Sequence, residues 1–385
     1  MEKQFLLKPL LINFDFPPIV SGISSLFYNL FKELDLAQTI VLAPKLKNDE
    51  VIDKNYPLKV LRYSTFFGLK AIRIIALIPY VFTCIVKLRI NILICAVPLS
   101  LGFIGLLFNK IKKIPYIVFY YGGELDKYRK NPIAFSALKT ILRNATRIVT
   151  ISDYTSDEVS EYGVDKKKVF KIIPGVDFKK FRPSLNCEKI KVQFDLENKR
   201  VLLTVARLAR RKGIDSVIEA LNEVIKEDDN VTYVIVGKGR DENYLKKLVK
   251  DKGLEKYVIF AGSVSDFDLP LYYNACDIYV MPNKKTVGGE ILEGFGISFV
   301  EAAACAKPVI GGITGGVREA VLDGKTGLLV DPNNIKLLSE SILKLLRNKD
   351  YANDLGQTGR QWVEAEFAWS TRALALKELL ETIKT

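Results

Sequence analysis

Two glutamates, Glu293 and Glu301, stand eight positions apart in the segment EGFGISFVEA, and no histidine occurs in the 385 residues. Without imidazole there can be no histidine-built zinc site, no Ser-His-Asp triad and no histidine general base. The remaining tools are carboxylates, fixed cations and backbone amides. A carboxylate has two acceptor oxygens, matching the two donors of a vicinal diol. Glu301, on the first turns of a helix predicted to begin near Gly296 or Ile297, suits a ribose, and Glu293, in the loop ahead of it, suits hydroxyls of a second sugar. The amides of Phe295, Gly296, Ile297 and Ser298 are the unpaired donors of that helix start, where partial positive charge collects and a diphosphate can sit. Taken alone, Glu293 is more simply a surface loop charge and Glu301 a solvated helix residue.

A second constellation, Ala206-Arg207-Leu208-Ala209-Arg210-Arg211-Lys212-Gly213, follows the predicted strand Val201–Val205. Arg207 and Lys212, two fixed cations at the carboxyl end of a strand, can clamp a diphosphate and stabilise it as a leaving group. Arg210 and Arg211 read as solvated, and a plain basic loop is the alternative for all four. Asp266-Phe267-Asp268 imitates a metal-binding Asp-x-Asp but precedes the predicted helix Leu269–Ala275, where N-capping is its expected role. No other carboxylates have metal-ligand spacing, so no metal is expected.

These residues must be held by elements, and the pattern of short β-branched runs alternating with helical stretches is that of βαβ units around parallel sheets. In the first half the predicted strands are Phe5–Leu7, Thr39–Leu42, Ile92–Val97, Tyr116–Tyr120, Arg147–Ile151 and Val169–Ile172. In the second they are Val201–Val205, Thr232–Val236, Val258–Phe260, Ile278–Met281, Pro308–Ile310 and Gly327–Val330. The prolines and glycine of IIPGVDFKKFRP separate the halves. The expected architecture is α/β with two doubly wound, Rossmann-like domains, residues 1–185 and 190–365, whose sites lie beyond the strands' carboxyl ends and face one cleft.

The net charge of +13 is carried wholly by residues 1–190, which hold 29 Lys and Arg against 16 Asp and Glu; the remainder balances at 28 against 28. A one-sided basic surface suits an anionic partner such as a bilayer, although a general solubility charge would look the same. Nucleic acid is not expected as a partner, since the cations are not interleaved with an aromatic face of any known binding module. The five cysteines, without a CxxC pair, and the lack of a secretory signal after Met1 lead to the expectation of a cytoplasmic protein. Residues 90–109 form a 20-residue uncharged stretch. With Pro98, Gly102 and Gly105 inside it, the stretch reads as a buried strand followed by the packed helix Leu99–Phe108, and a membrane hairpin is the lesser alternative. Lys110, Lys112 and Lys113, with Arg62, Lys70 and Arg73, are the cations expected to rest on the inner face of a membrane.

The chain resembles the retaining glycosyltransferases of family 4, which have the two-domain GT-B fold. The resemblance rests on Glu293 and Glu301 in EGFGISFVEA, on RLARRKG, KPVIGG, GGVREAV and DGKTGLLVDP, and on IIPGVDFKKFRP, which together cover most of residues 165–335. The stretch MPNKKTVGGEILEGFGISFVEA looks most like the phosphatidylinositol mannosyltransferase branch and related lipid and polysaccharide mannosyltransferases. The resemblance implies a hexose, mannose before others, moved from a nucleotide-diphosphate sugar to a lipid-linked or polysaccharide acceptor. GDP-mannose is the favoured donor and a UDP-sugar the alternative. It further implies Arg207 and Lys212 on the diphosphate, Glu301 on the ribose, Glu293 on the donor sugar, Gly237 lining the base or ribose pocket, and residues 366–385 as a helix crossing back to the N-terminal domain. The family's Gly-Gly loop reads Ser21-Gly22 here, so Gly22 alone keeps a close backbone approach. The family's ACGKPV is ACAKPV, and its frequent His-Gly is Tyr121-Gly122. In a retaining enzyme the departing phosphate oxygen is thought to take the acceptor proton, which leaves Tyr121 an orienting role. A soluble acceptor such as a sugar phosphate or inositol phosphate, and a binding protein for nucleotide sugars or nucleic acid, are the competing readings.

Overall fold

The computed structural model describes residues 6–19, 21–36, 38–64, 70–285 and 292–383. They gather into two units, residues 1–175 with 369–385, and residues 176–368. In the first unit the chain runs β1 (Pro9–Ile12), α1 (Gly22–Lys32), β2 (Ile40–Pro44), α2 (Asp49–Asn55), β3 (Lys59–Tyr63), α3 (Lys70–Leu88), β4 (Ile92–Cys95), α4 (Ser100–Lys112), β5 (Tyr116–Tyr120), α5 (Glu124–Tyr128), α6 (Pro132–Asn144), β6 (Arg147–Thr150), α7 (Asp153–Glu161) and β7 (Val169–Lys171). The strands pair in parallel in the order β3-β2-β1-β4-β5-β6-β7. Strands β1 and β5 are buried along their whole length, as parallel strands covered on both faces must be. The order reverses between β1 and β4, which makes the carboxyl ends of those two strands the place where such a sheet binds ligands.

The second unit runs α8 (Glu188–Gln193), β8 (Arg200–Val205), α9 (Ile214–Glu227), β9 (Val231–Val236), α10 (Glu242–Asp251), β10 (Val258–Gly262), α11 (Leu269–Ala275), β11 (Ile278–Met281), α12 (Ile297–Ala304), β12 (Val309–Gly312), β13 (Gly327–Val330), α13 (Ile335–Arg347) and α14 (Lys349–Glu366). Its sheet is also parallel, ordered β10-β9-β8-β11-β12-β13, and the reversal falls between β8 and β11. Val217, Leu221 and Val224 of α9 pack with Leu338, Ile342 and Leu345 of α13 in one core. The last helix, α15 (Trp369–Glu381), groups with the first unit, where Lys377 Nζ lies 2.9 Å from an Asp35 carboxylate oxygen.

Several sequence expectations are corrected. The first strand lies at Pro9–Ile12 rather than Phe5–Leu7, and Phe5 itself is outside the described residues. The proline is tolerated because it opens the strand. β3 and α3 were not foreseen, and Pro79 lies inside α3. Residues 90–109 do fold as buried β4 and the start of α4, and no described helix is long and apolar enough to cross a membrane. Arg62 is not a surface cation: its guanidinium bonds both Asp53 carboxylate oxygens at 2.9 and 2.6 Å and the carbonyls of Pro44 and Pro17 at 3.0 and 2.9 Å. The side chains of Leu69 and Lys70 are outside the described residues.

Candidate functional site

The loop leaving β8 tightens into a single 3-10 turn at Arg210–Lys212 before α9 begins. That turn aims two consecutive cations at one carboxylate. Lys212 Nζ donates to Glu293 Oε2 at 2.5 Å, Arg211 Nη1 donates to the same oxygen at 2.9 Å, and Asn283 Nδ2 at 3.2 Å. Three segments thus meet, from the ends of β8 and β11 and from the approach to α12. The loop carrying Glu293 is fixed from behind, because its carbonyl accepts the Gly316 N–H at 2.9 Å. Burial alone would push the Glu293 carboxyl up, but Lys212 and Arg211 outweigh it and hold it below the ordinary carboxylate range. Burial pushes the Lys212 amine down, and Glu293 opposes that shift. Each partner thus offsets the cost of the other's burial. Arg207 is exposed just beyond β8, near enough for its charge to add to the downward push on Lys212. Three cations against one carboxylate leave an excess that suits an incoming diphosphate.

Arg211 is therefore not solvated, contrary to expectation, whereas Arg210 is exposed as expected. Arg210 lies flat on Tyr244, 3.3 Å from the ring centroid, with Nη1 3.4 Å from Asp215 Oδ2. Asp215 is buried and paired with Lys284 Nζ at 2.8 Å, and the Lys284 N–H donates to the Arg211 carbonyl at 2.9 Å. This second layer ties the end of β11 to the turn that presents Lys212.

Glu301 sits in a different setting. Helix α12 opens on Gly296, whose φ of 97° lies in the left-handed region, and no side chain caps the helix. A Cβ at Gly296 would stand 2.6 Å from the Phe299 ring, so the left-handed backbone and the close ring together require glycine at this helix start. The amides of Ile297 and Ser298 belong to the first turn, and the Ser298 hydroxyl accepts from the Tyr279 hydroxyl at 2.7 Å. Phe295 is buried against Phe367, with ring centroids 6.0 Å apart. One Glu301 oxygen accepts the Tyr273 hydroxyl at 2.7 Å, and burial pushes the Glu301 carboxyl up to about 7. Gly237 follows β9 with φ 133°, and a Cβ there would lie 1.9 Å from the Ala206 carbonyl oxygen. Only glycine fits where the ends of β8 and β9 run together.

All the candidates of the second unit thus lie at strand carboxyl ends or at the start of α12, but among them only Lys212 and Glu293 bond side chain to side chain. Gly22 and Tyr121 belong to the first unit. Gly22 opens α1 behind Ser21, whose hydroxyl accepts the Ser24 N–H at 3.0 Å. Tyr121 follows β5; its hydroxyl donates to the Ala96 carbonyl at 2.6 Å and its N–H to Glu124 Oε1 at 3.0 Å. Burial lifts that hydroxyl well above the usual tyrosine range, so it remains a donor. Residues missed from sequence are Arg211, Asn283, Tyr273 and Glu124. Oε2 of Glu124 is buried with no partner among the described residues, as is Oδ1 of Asn283, and burial pushes the Glu124 carboxyl up to about 8. The one available signal was position, since Asn283 and Glu124 each follow closely on a strand's carboxyl end. Asp268, expected to cap α11, stands at the cap position without capping; its carboxylate accepts the Ser265 hydroxyl at 2.8 Å, and Asp266 pairs with Lys180.

The family described as Glycosyltransferase Family 4 matches residues 20–180, and that described as Glycosyl transferases group 1 matches residues 187–362. The GDP-mannose-dependent alpha-(1-6)-phosphatidylinositol monomannoside mannosyltransferase of Mycobacterium tuberculosis is 33% identical over 250 residues, 65% of either chain, so the match spans just under two thirds of that enzyme. The enzyme of the same name from Mycolicibacterium smegmatis is 29% identical over 380 residues, 96% of this chain and 97% of its own. Among solved structures, Anabaena Alr3699/HepE with UDP and glucose superimposes with a TM-score of 0.82 at 19% identity, covering 98% of this chain and 100% of its own. The sucrose-phosphate synthase of Thermosynechococcus elongatus does so with a TM-score of 0.82 at 22% identity, covering 97% of this chain and 98% of its own. At such identities the likeness is one of fold, which is GT-B.

Proposed function

Because the chain belongs to the glycosyltransferases that join a Family 4 domain to a group 1 domain, we propose that it moves a mannosyl residue from GDP-mannose to a hydroxyl of a phosphate-bearing, lipid-linked acceptor, with retention at the anomeric carbon. The observation that carries this reading is the meeting of Lys212 and Arg211 on Glu293 beside the uncapped start of α12. In such a site the diphosphate lies across Arg207, Lys212 and the first amides of α12, where the charge that grows as the glycosidic bond breaks is already countered. Glu301 accepts the ribose hydroxyls. Glu293 is fixed by its cations at the donor sugar, and its charge favours the oxocarbenium character of the breaking anomeric centre. The departing phosphate oxygen takes the acceptor's proton, so no imidazole is required.

The lipid acceptor is favoured by the names of the mycobacterial relatives and by a first unit that is basic and bears exposed apolar side chains, among them Ile75, Phe82 and Val86 of α3 and Ile111 of α4. Lys110, Lys112 and Lys113 are exposed beside them, as is Arg73. Each cation near an anionic bilayer contributes about 1 kcal/mol, so this face supports salt-sensitive, peripheral attachment to a membrane's inner surface. The test is transfer of radiolabelled mannose from GDP-mannose to phosphatidylinositol monomannoside in micelles, with the anomeric configuration of the product read by NMR. An α-mannosidic product supports the reading. Transfer to soluble inositol phosphate alone, or from UDP-sugars alone, overturns the acceptor or the donor assignment respectively.

A further inference from the structure

Helix α4 follows β4 and so begins at the sheet's carboxyl edge, where the β1/β4 switch point lies; α6 comes after β5 and α5 and leads into β6, so it starts on the same side. Between them runs a shallow, open and mostly apolar groove of about 560 Å³, lined by Phe103 and Leu106 of α4 and, along most of α6, by Ile133, Ser136, Thr140 and Ile141. Ile141 is buried, whereas Phe103 is 47% and Ile133 83% exposed. A pair of large hydrophobes held open to water on either side of a greasy channel is a binding feature rather than a core. Immediately ahead of Pro132 stand Lys127, Arg129 and Lys130, all exposed, with Asp126 3.9 Å from Arg129. The groove is therefore mostly apolar, and the exposed cations lie just ahead of the first turn of α6, at the end nearest the sheet's carboxyl edge.

We propose that this groove takes one acyl chain of the anionic lipid acceptor. The acceptor's phosphate would lie over Lys127, Arg129 and Lys130, and its head group at the ends of β4 and β5 near Tyr121. The polarity of the groove matches that of a phospholipid: alkyl chain in the channel, phosphate at the cationic mouth. A second copy of this chain fits less well, because two-fold pairing through the same face would bring the two sets of cations together. The inference rests on the lipid-acceptor reading above and adds where the lipid's tail is held.

The probe is phosphatidylinositol carrying a diazirine in one acyl chain, presented to the full chain in mixed vesicles and photolysed. Labelling is expected in peptides spanning residues 100–112 and 132–144. It should fall roughly tenfold when the channel is blocked by Ser136→Trp or charged by Ile133→Glu, both at exposed positions, since a buried alkyl stretch carries most of such an affinity. The same variants should raise the KM for acylated phosphatidylinositol monomannoside and leave transfer to its deacylated form unchanged, with GDP affinity intact. Labelling elsewhere, or labelling indifferent to both variants, overturns the proposal. A dimer that Ser136→Trp dissociates overturns it in favour of a second copy. Transfer with labelling elsewhere rejects the groove and leaves the transferase reading, whereas labelling of α4 and α6 without mannosyl transfer rejects that reading and leaves the groove.

Discussion

Glu293 and Glu301 stand eight positions apart, one in a loop and one in helix α12, and live in opposite electrostatic surroundings. Glu293, in the loop, gathers Lys212, Arg211 and Asn283 on one oxygen and is held below the carboxylate range. Glu301, in the helix, meets one neutral hydroxyl and is pushed up to about 7. The first is a finished ion network that needs no ligand to hold its charge. The second is a carboxylate short of donors, and a ligand that brings two hydroxyls completes it. Under the proposed function the difference gives them separate parts: a rigid charged frame at the donor sugar and phosphate, and an adaptable acceptor for the nucleotide ribose.

The sharpest break in that comparison is Lys212→Ala. It removes a cation from the frame and leaves Glu293 with Arg211 and Asn283, so turnover should fall on the order of a hundredfold or more. Because the lost partner is buried, stability should fall as well, by about 3–5 kcal/mol in denaturant titration. Arg207→Ala, at an exposed position, should lower turnover on a similar scale and leave the melting temperature unchanged. Equal stability losses in both variants would show that the two cations share one structural role.

A smaller effect separates the two glutamates directly. Glu301→Ala should weaken GDP itself by about 1.5–3 kcal/mol in calorimetry, the usual worth of hydrogen bonds to a charged group. Glu293→Gln should leave GDP affinity within a few-fold and lower turnover instead. Exchange of these outcomes would invert the assignment.

Much of this arrangement was legible in the sequence. The strands Tyr116–Tyr120, Ile278–Met281 and Gly327–Val330 and the helix Leu269–Ala275 match their predicted bounds, because continuous apolar runs bounded by turn residues leave few choices. The edge strand β3 escaped because its residues are only partly buried and carry no such run. In the site, the positions of Lys212, Glu293 and Glu301 follow from local pattern, but their partners do not. Arg211 and Asn283 reach Glu293 across 82 and 10 residues, and Tyr273 reaches Glu301 across 28. Such separations are closed by sheet order, which composition and periodicity leave open. Arg62 was misread for the same reason: the carboxylate it bonds, Asp53, lies nine residues back on α2, and nothing in the charge pattern aims one at the other.

The finest test of the contrast is pH. Glu301 has a raised carboxyl in the folded chain, so between about 4.5 and about 7 the folded state holds a proton that the unfolded state has released. Its contribution to stability is therefore lost as pH rises through that window, and Glu301→Gln should flatten that part of the stability profile. Ribose hydroxyls donate to the carboxylate and not to the acid, so nucleotide binding must expel the proton. GDP affinity should then be level above pH 7 and fall below it, by at most about tenfold per unit for one proton. Calorimetry in buffers of differing ionisation enthalpy should register up to one proton released near pH 6.5 in the wild type and none in Glu301→Gln. Glu293 is already ionised through this range and should contribute nothing, so a Glu293→Gln variant that abolished the proton release would place the titrating carboxylate in the loop and overturn the division of labour between the two glutamates.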